Sequence, residues 1–326
     1  MNIIVDAFGG DNAPLEIIKG CVDAVSEYGI SVTLTGDEKK IRRIFSENSL
    51  SEDNIYIYNC SQVITMEDSA DSVIKDKKDS SMAVGLKLLS EGEGDAFVSA
   101  GNSGALCMGA TLGIKRIKGI KRPAFAPVMP SETGFFMLMD GGANIECRPE
   151  MLYQFALMGS IYMSKVMGVK NPRIGLANVG AEDHKGTELY RSTYELLKNS
   201  KLNFIGNVEG RDIPAGACDV VVCDGFTGNL ILKTYEGVAL TLMKQIKHMF
   251  SDSAKGKLAA AMVMKDLKTL KTHFDYNRYG GAPILGSSKP VFKAHGSAKA
   301  VTVKNAIRLS VEYVKANAIE EISSSL

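Results

Sequence analysis

Residues 221–230, Val-Val-Cys-Asp-Gly-Phe-Thr-Gly-Asn-Leu, place an acid, two glycines, a hydroxyl and an amide directly after an apolar run. A simple turn needs only two such residues. Glycines let backbone N–H groups approach a ligand closely, and a helix N-terminus adds partial positive charge. Phosphate is the natural guest of such a turn. Asp224, Gly225, Thr227, Gly228 and Asn229 are therefore read as an anion cradle with an amide and a hydroxyl added. Related turns follow other apolar runs: Gly9-Gly10-Asp11, Gly101-Asn102-Ser103-Gly104, the stretch 140–144 ending in Asn144, and His295-Gly296-Ser297. Any one of them alone is better explained as a tight connection. Five or six together favour a ligand site, because connection alone does not call for that much Gly and Asn.

Lys185 is the most suggestive charged residue, in the polar stretch NVGAEDHKG at 178–186. It reads either as a cation meeting an anionic substrate or as a solvated loop lysine. No G-x-S-x-G elbow is present, and His295 lies too close to Ser297 in sequence to form a triad with it alone. The six cysteines form no C-x-x-C pair, and most look buried, which makes a thiol inert. Group transfer without a covalent enzyme intermediate fits this inventory. The G-x-G-x-x-G dinucleotide fingerprint and the G-x-x-x-x-G-K-[ST] loop are both missing.

What must position these turns is an alternation of short apolar runs and helical periods. Strands are expected at Asn2–Asp6, Ser31–Thr35, Ile55–Asn59, Ala96–Ser99, Ala124–Val128, Phe135–Asp140, Arg173–Ala177, Asn203–Gly206, Val220–Cys223 and Pro290–Ala294. Helical periods between them include Leu15–Tyr28, Ser81–Glu91, Pro149–Gly168 and Gly186–Asn199. This pattern predicts one mostly parallel sheet covered on both faces, in a single α/β domain over 1–326. The turns then emerge together at its carboxyl edge, where ligands bind. Residues 98–106 and 222–230 share the pattern V-x-x-G-x-[ST]-G-x-L.

Residues 240–272 differ in character, with seven lysines, two aspartates and the apolar run Leu258–Met264. They are expected to form two helices joined near Ser251–Gly256 and protruding from the sheet. Their apolar side, with Leu258, Met262 and Val263, suits an anionic membrane surface, a second subunit or an internal packing partner. Lys115, Arg116, Lys118, Lys121 and Arg122 crowd five cations into one acid-free stretch, which suits an acidic partner or a solvated helix end.

Bulk composition narrows the classes. A net charge of +1, no Trp and 7% aromatic residues argue against a nucleic-acid binder. Four scattered histidines argue against a zinc site, and no cofactor is expected. The N-terminus reads as a first strand rather than a secretory signal, and no apolar run is long enough to span a bilayer.

At these motifs the chain resembles the bacterial acyl-carrier-protein:phosphate acyltransferases. The matching stretches are VDAFGGDNAP, SAGNSGAL, RPAFAPVMP, DGGAN, GNVEGRDI, DVVVCDGFTGN and YGGAPILG, with AHGS beyond; they run in order across almost the whole chain. Phe8 stands where the family is expected to carry Met, and the loop after His295 reads Gly-Ser-Ala-Lys rather than Gly-Ser-Ser-Asn. The resemblance implies a Rossmann-like three-layer α/β/α fold, similar to isopropylmalate dehydrogenases and phosphate acetyltransferases, and a homodimer. It implies acyl transfer from acyl carrier protein to inorganic phosphate, with Lys185 and Asn229 at positions associated with catalysis. His295 is a candidate acid for the leaving thiol. It also implies peripheral membrane contact in the cytoplasm, and hand-over of acyl phosphate to a membrane glycerol-3-phosphate acyltransferase. A phosphate acetyl- or butyryltransferase using coenzyme A, a non-catalytic phosphate-binding scaffold at the membrane and a dehydrogenase of the isopropylmalate type remain the rival readings.

Overall fold

The structure, a computed structural model, describes residues 1–273 and 280–326. Tyr279, the first residue of the YGGAPILG motif, lies outside the described residues. The strands are β1 (Asn2–Asp6), β2 (Ser31–Gly36), β3 (Ile55–Asn59), β4 (Ala96–Ser99), β5 (Ala124–Phe125), β6 (Val128–Ser131), β7 (Gly134–Met139), β8 (Ile174–Asn178), β9 (Phe204–Glu209), β10 (Val220–Val222), β11 (Ala282–Leu285) and β12 (Val291–Lys293). The helices are α1 (Leu15–Tyr28), α2 (Glu38–Asn48), α3 (Ser81–Glu91), α4 (Ser103–Gly109), α5 (Pro149–Lys165), α6 (Glu188–Lys198), α7 (Gly225–Ser251), α8 (Ala254–Met262), α9 (Met264–His273), α10 (Ala300–Lys315) and α11 (Ala318–Ser324).

Two sheets stand where one was expected. The first runs β3-β2-β1-β4-β12-β11-β5 and the second β6-β7-β10-β8-β9. Both are parallel in the middle; in the first, β11 runs antiparallel to both its neighbours, β12 and β5, and in the second β6 runs antiparallel to β7. The expected strand Ala124–Val128 breaks because the chain changes sheets there. Phe125 pairs with Ile284 in the first sheet and Val128 with Met137 in the second. Pro127, between them, has no N–H to continue a ladder.

The central strands of each sheet are covered on both sides and are apolar, whereas β3, at the edge of the first, leaves Tyr56 and Tyr58 exposed. In β1, Ile3 and Val5 enter one core while Ile4 enters another, because side chains alternate across a strand. Val220 and Val222 of β10 face the α5 side, and Val221 faces α7 through Leu232. The core containing Ile3 also holds Met139, Phe155 and Ile307, so it runs through both sheets without interruption.

The C-terminal third of α7 leads into α8 and α9, which pack mainly on α7 and on one another. The join falls where the sequence placed it, with the Ser253 side chain accepting from Gly256 N at 2.9 Å. A second break at Val263 divides the expected second helix into α8 and α9. No helix among the described residues is long and apolar enough to cross a membrane.

Candidate active site

A cavity of about 850 Å³ opens between the carboxyl edges of the two sheets. The first sheet contributes Ser103 and Gly104 from the start of α4, and Lys293, His295, Gly296 and Ser297 from the exit of β12. The second contributes Gly142 and Asn144 after β7, and Asn229 from the first turns of α7. Asp11 lies at the edge between β1 and β12.

On the first-sheet side the loops interlock. Asp11 N donates to Gly296 O at 2.8 Å, and the Asn12 side-chain amide donates to Ser297 O at 3.0 Å and Ala298 O at 3.2 Å. A Cβ on Gly9 would stand 2.6 Å from Gly101 N, so the β1 and β4 exits touch only because that residue is glycine. Asp6 is buried; it accepts from Ser99 Oγ at 2.7 Å and from Phe8 N at 3.2 Å, and burial pushes its carboxyl up. Asn102 is committed to structure: Oδ1 caps α4 at Ala105 N (3.1 Å), while Nδ2 donates to Thr65 O and Asp68 O.

On the second-sheet side Asp140 organises the turn. Oδ1 accepts from Phe125 N, Gly142 N and Ala143 N, and Oδ2 accepts from Asn144 N at 2.7 Å and Asn144 Nδ2 at 2.8 Å. Burial raises the Asp140 carboxyl against these bonds. Asn144 Nδ2 also donates to Pro123 O at 2.8 Å, so both its amide protons have partners.

The opening stretch, Asp224 to Asn229, has a different local use from an anion cradle. Asp224 Oδ1 caps α7 by accepting from Thr227 N at 2.9 Å; Oδ2 accepts from Thr227 Oγ and from the Tyr190 hydroxyl. Gly225 N donates to Asn144 O at 2.7 Å and Gly228 N to Asp224 O at 2.9 Å. A Cβ on Gly225 would stand 2.6 Å from Asn144 O, and one on Gly228 only 1.8 Å from Asp140 O. These glycines let α7 lie directly on the backbone of 140–144. Their N–H groups, with that of Thr227, are taken within the protein. Asp224, Gly225, Thr227 and Gly228 do not line the cavity; nor do Gly9, Gly10, Gly101 and Asn102. What the arrangement delivers is Asn229, exposed on α7 and lining the cavity.

His295 is half-buried, and burial holds its imidazole below the ordinary value despite the pull of Glu236. Ser297 N donates to Nδ1 at 3.3 Å, and Ser297 Oγ lies 2.8 Å from it. In the neutral ring Nδ1 is thus the acceptor and Nε2 carries the proton. Lys185 is half-buried in the exit loop of β8, the neighbour of β10, with its carbonyl accepting from Asn178 Nδ2 at 3.2 Å. It shares the second sheet's carboxyl edge with Asn229 but does not line the cavity.

Lys115, Arg116, Lys118, Lys121 and Arg122 are all exposed, while Ile114, Ile117 and Ile120 between them are buried. Arg122 reaches the cavity wall. Leu258 is 68% exposed, Met262 82% and Val263 37%.

Sequence reasoning missed Lys293 and Asp140. Asp140 heads the DGGAN motif, and the order acid, two glycines, Asn was itself the available signal for a self-capped turn. Lys293 gave the weaker signal of a lysine closing an apolar strand just before His-Gly-Ser.

The profile of the family described as "Fatty acid synthesis protein" matches residues 1–321. A phosphate acyltransferase from Acetivibrio thermocellus is 50% identical over 323 residues, covering 99% of this chain and 95% of its own. Among solved structures, a phosphotransacetylase from Streptococcus pyogenes superposes with a TM-score of 0.66 at 17% identity, covering 98% of this chain and 94% of that one. A 4-hydroxythreonine-4-phosphate dehydrogenase from Klebsiella pneumoniae gives 0.54 at 15% identity, over 96% and 99%. At such low identity these two speak for the three-layer fold alone. With one profile spanning nearly its whole length and a relative half identical to it, the chain belongs to the fatty acid synthesis protein family.

Proposed function

We propose that this chain transfers a fatty acyl group from an acyl carrier protein thioester to inorganic phosphate, giving acyl phosphate for phospholipid synthesis. The observation that carries the reading is the composition of one cavity. Met66, Met108, Leu112, Met129 and Leu232 offer an apolar wall to a chain, and Asn229 offers an amide where the loops of both sheets converge.

The chemistry asks for little beyond positioning. A phosphate oxygen attacks the thioester carbon, the carbonyl oxygen takes up the electron pair, and the C–S bond then breaks. Phosphate is anionic at neutral pH and needs no strong base. A thiol of pKa near ~8.5 leaves readily as the thiolate and needs little acid help, so the role left to a neutral His295 is a hydrogen bond to the departing sulfur. Asn229 donates to the developing oxyanion. Holding the reactants together can contribute roughly 7–11 kcal/mol. Lys185, at the β8 exit, supplies positive charge at the same edge and draws phosphate towards Asn229.

Exposed Lys115, Arg116, Lys118, Lys121 and Arg122 suit docking of the acidic carrier, since Arg122 links that patch to the cavity wall. The exposed Leu258, Met262 and Val263, among the lysines of α8 and α9, suit peripheral contact with an anionic membrane. There the product passes to a glycerol-3-phosphate acyltransferase. A homodimer is the expected assembly.

Incubation with acyl carrier protein thioester and phosphate should yield acyl phosphate detectable by mass. Lys185→Ala should lower turnover at least a hundredfold, about 2.7 kcal/mol of barrier, with the fold intact. Equal or faster turnover of short coenzyme A thioesters would favour the acetyl- or butyryltransferase reading, and phosphate binding without product would favour the scaffold.

A further inference from the structure

Lys293 closes β12 in a position that ordinarily excludes charge. It is 6% exposed, yet it lines the cavity. Burying an ammonium costs several kcal/mol unless it is paired, so a lysine here calls for a partner. Its register partner is Ser99, the last residue of β4, which puts the side chain beside the β4 exit loop. Nζ donates to Ala100 O at 3.0 Å and to Ala294 O. Among the described residues it forms no ion pair, and Asp6 and Asp11 act on it only through space. Asp6 is directed elsewhere, its oxygens accepting from Ser99 Oγ and Phe8 N. An ammonium has three donors; the third has no protein acceptor among the described residues.

We propose that Lys293 is the fixed cation that seats the transferable phosphate, donating its third N–H to a phosphate oxygen on the cavity floor. The proposal rests on the acyl-to-phosphate reading above and adds a catalytic residue to it. Two neutral carbonyl oxygens orient the ammonium without cancelling its charge, which is the condition for holding an anion in a site of low dielectric. A lysine serving only to tie β12 to the β4 exit would need the same two bonds, but no place on a cavity wall.

The groups around it bear on its protonation. Burial pushes the Lys293 ammonium down to about 8; Asp6 on β1 and Asp11 beyond it pull it up, and Lys233 on α7 pulls it down. The Cys107 thiol on α4 is itself pushed up to about 12 by burial. His295, two residues on, is held low by burial. The cation is therefore present at neutral pH, is reinforced by a bound anion, and is lost in moderately alkaline solution.

Two measurements test this. In steady-state kinetics, Lys293→Met should raise the KM for phosphate at least tenfold, leave the KM for the acyl donor within twofold, and keep a cooperative thermal transition. A phosphate KM within twofold of wild type would overturn the proposal. A shift confined to the acyl donor would assign the cation to the donor's own phosphate and overturn it equally. Second, calorimetric titration of the unmodified protein with inorganic phosphate, from about pH 8 to about pH 11, should show affinity falling towards tenfold per unit at the upper end. Phosphate is essentially dianionic over that range, so the loss would come from the protein; constant affinity would overturn the proposal. The titration needs no variant, and it decides the matter even where K293M fails to fold. Acyl phosphate production by the wild type is read separately, so a failed reaction and a wrongly assigned lysine give different results.

Discussion

The turns at 98–106 and 222–230 share one pattern of residues and two different structures. In the first, Asn102 caps a helix that starts at Ser103; in the second, Asp224 caps a helix that starts at Gly225. Aligned on the shared pattern, the second helix begins two residues earlier. The capping side chain sets that start, because an acid or amide oxygen must reach the N–H three residues on. The glycines serve a different purpose in each copy. Gly228 touches backbone, while a Cβ on Gly104 would meet nothing nearer than the Ala70 methyl at 3.2 Å. The shift decides which residue each turn presents. Ala105 is buried in the first, and Asn229, at the matching position, is exposed to the cavity in the second.

The largest effect that can test this difference is chemical. Asn229→Ala should lower kcat by about a hundred- to a thousandfold, roughly 2.7–4 kcal/mol, with unchanged thermal stability. Full activity would remove the amide from the mechanism. Gly228→Ala comes next. It forces a methyl into the Asp140 carbonyl and should cost about 3 kcal/mol of stability, read by chemical denaturation. A stable G228A protein would mean that α7 does not lie on the 140–144 backbone. Asp224→Ala removes the cap and leaves the Tyr190 hydroxyl without its acceptor, at a cost of about 1–3 kcal/mol. The smallest effect is at Gly104→Ala, expected within about 0.5 kcal/mol. A large loss there would show that both turns are packed alike after all.

Legibility in the sequence followed the kind of contact. β1, β3 and β4 could be bounded to the residue, since short runs of β-branched and aromatic residues between helical periods have one physical reading. β6 and β11 were hidden by Pro130 and Pro283, which weaken any strand signal. Pro130 is tolerated because β6 lies at the edge of its sheet. The division into two sheets was invisible because it depends on pairings such as Phe125 with Ile284, far apart in sequence. At the site, the turn sequences marked loops that gather at the carboxyl edges of the sheets. They did not reveal which amides were already satisfied, because Gly225 N meets a carbonyl 81 positions away, at Asn144. Lys293 was hidden for a related reason: a lysine ending a strand looks solvated until the tertiary contacts bury it.

The interlocking of Asp11 and Asn12 with residues 296–298 has a consequence for the growing polypeptide. The second sheet is continuous in sequence from β6 to β10 and can assemble while translation proceeds. The first sheet must hold β4 ready until β12 arrives almost two hundred residues later, roughly ten to forty seconds at ordinary rates of synthesis. Until then the β4 edge stays unpaired, and a ribosome that stops early releases a chain with half its reaction chamber missing.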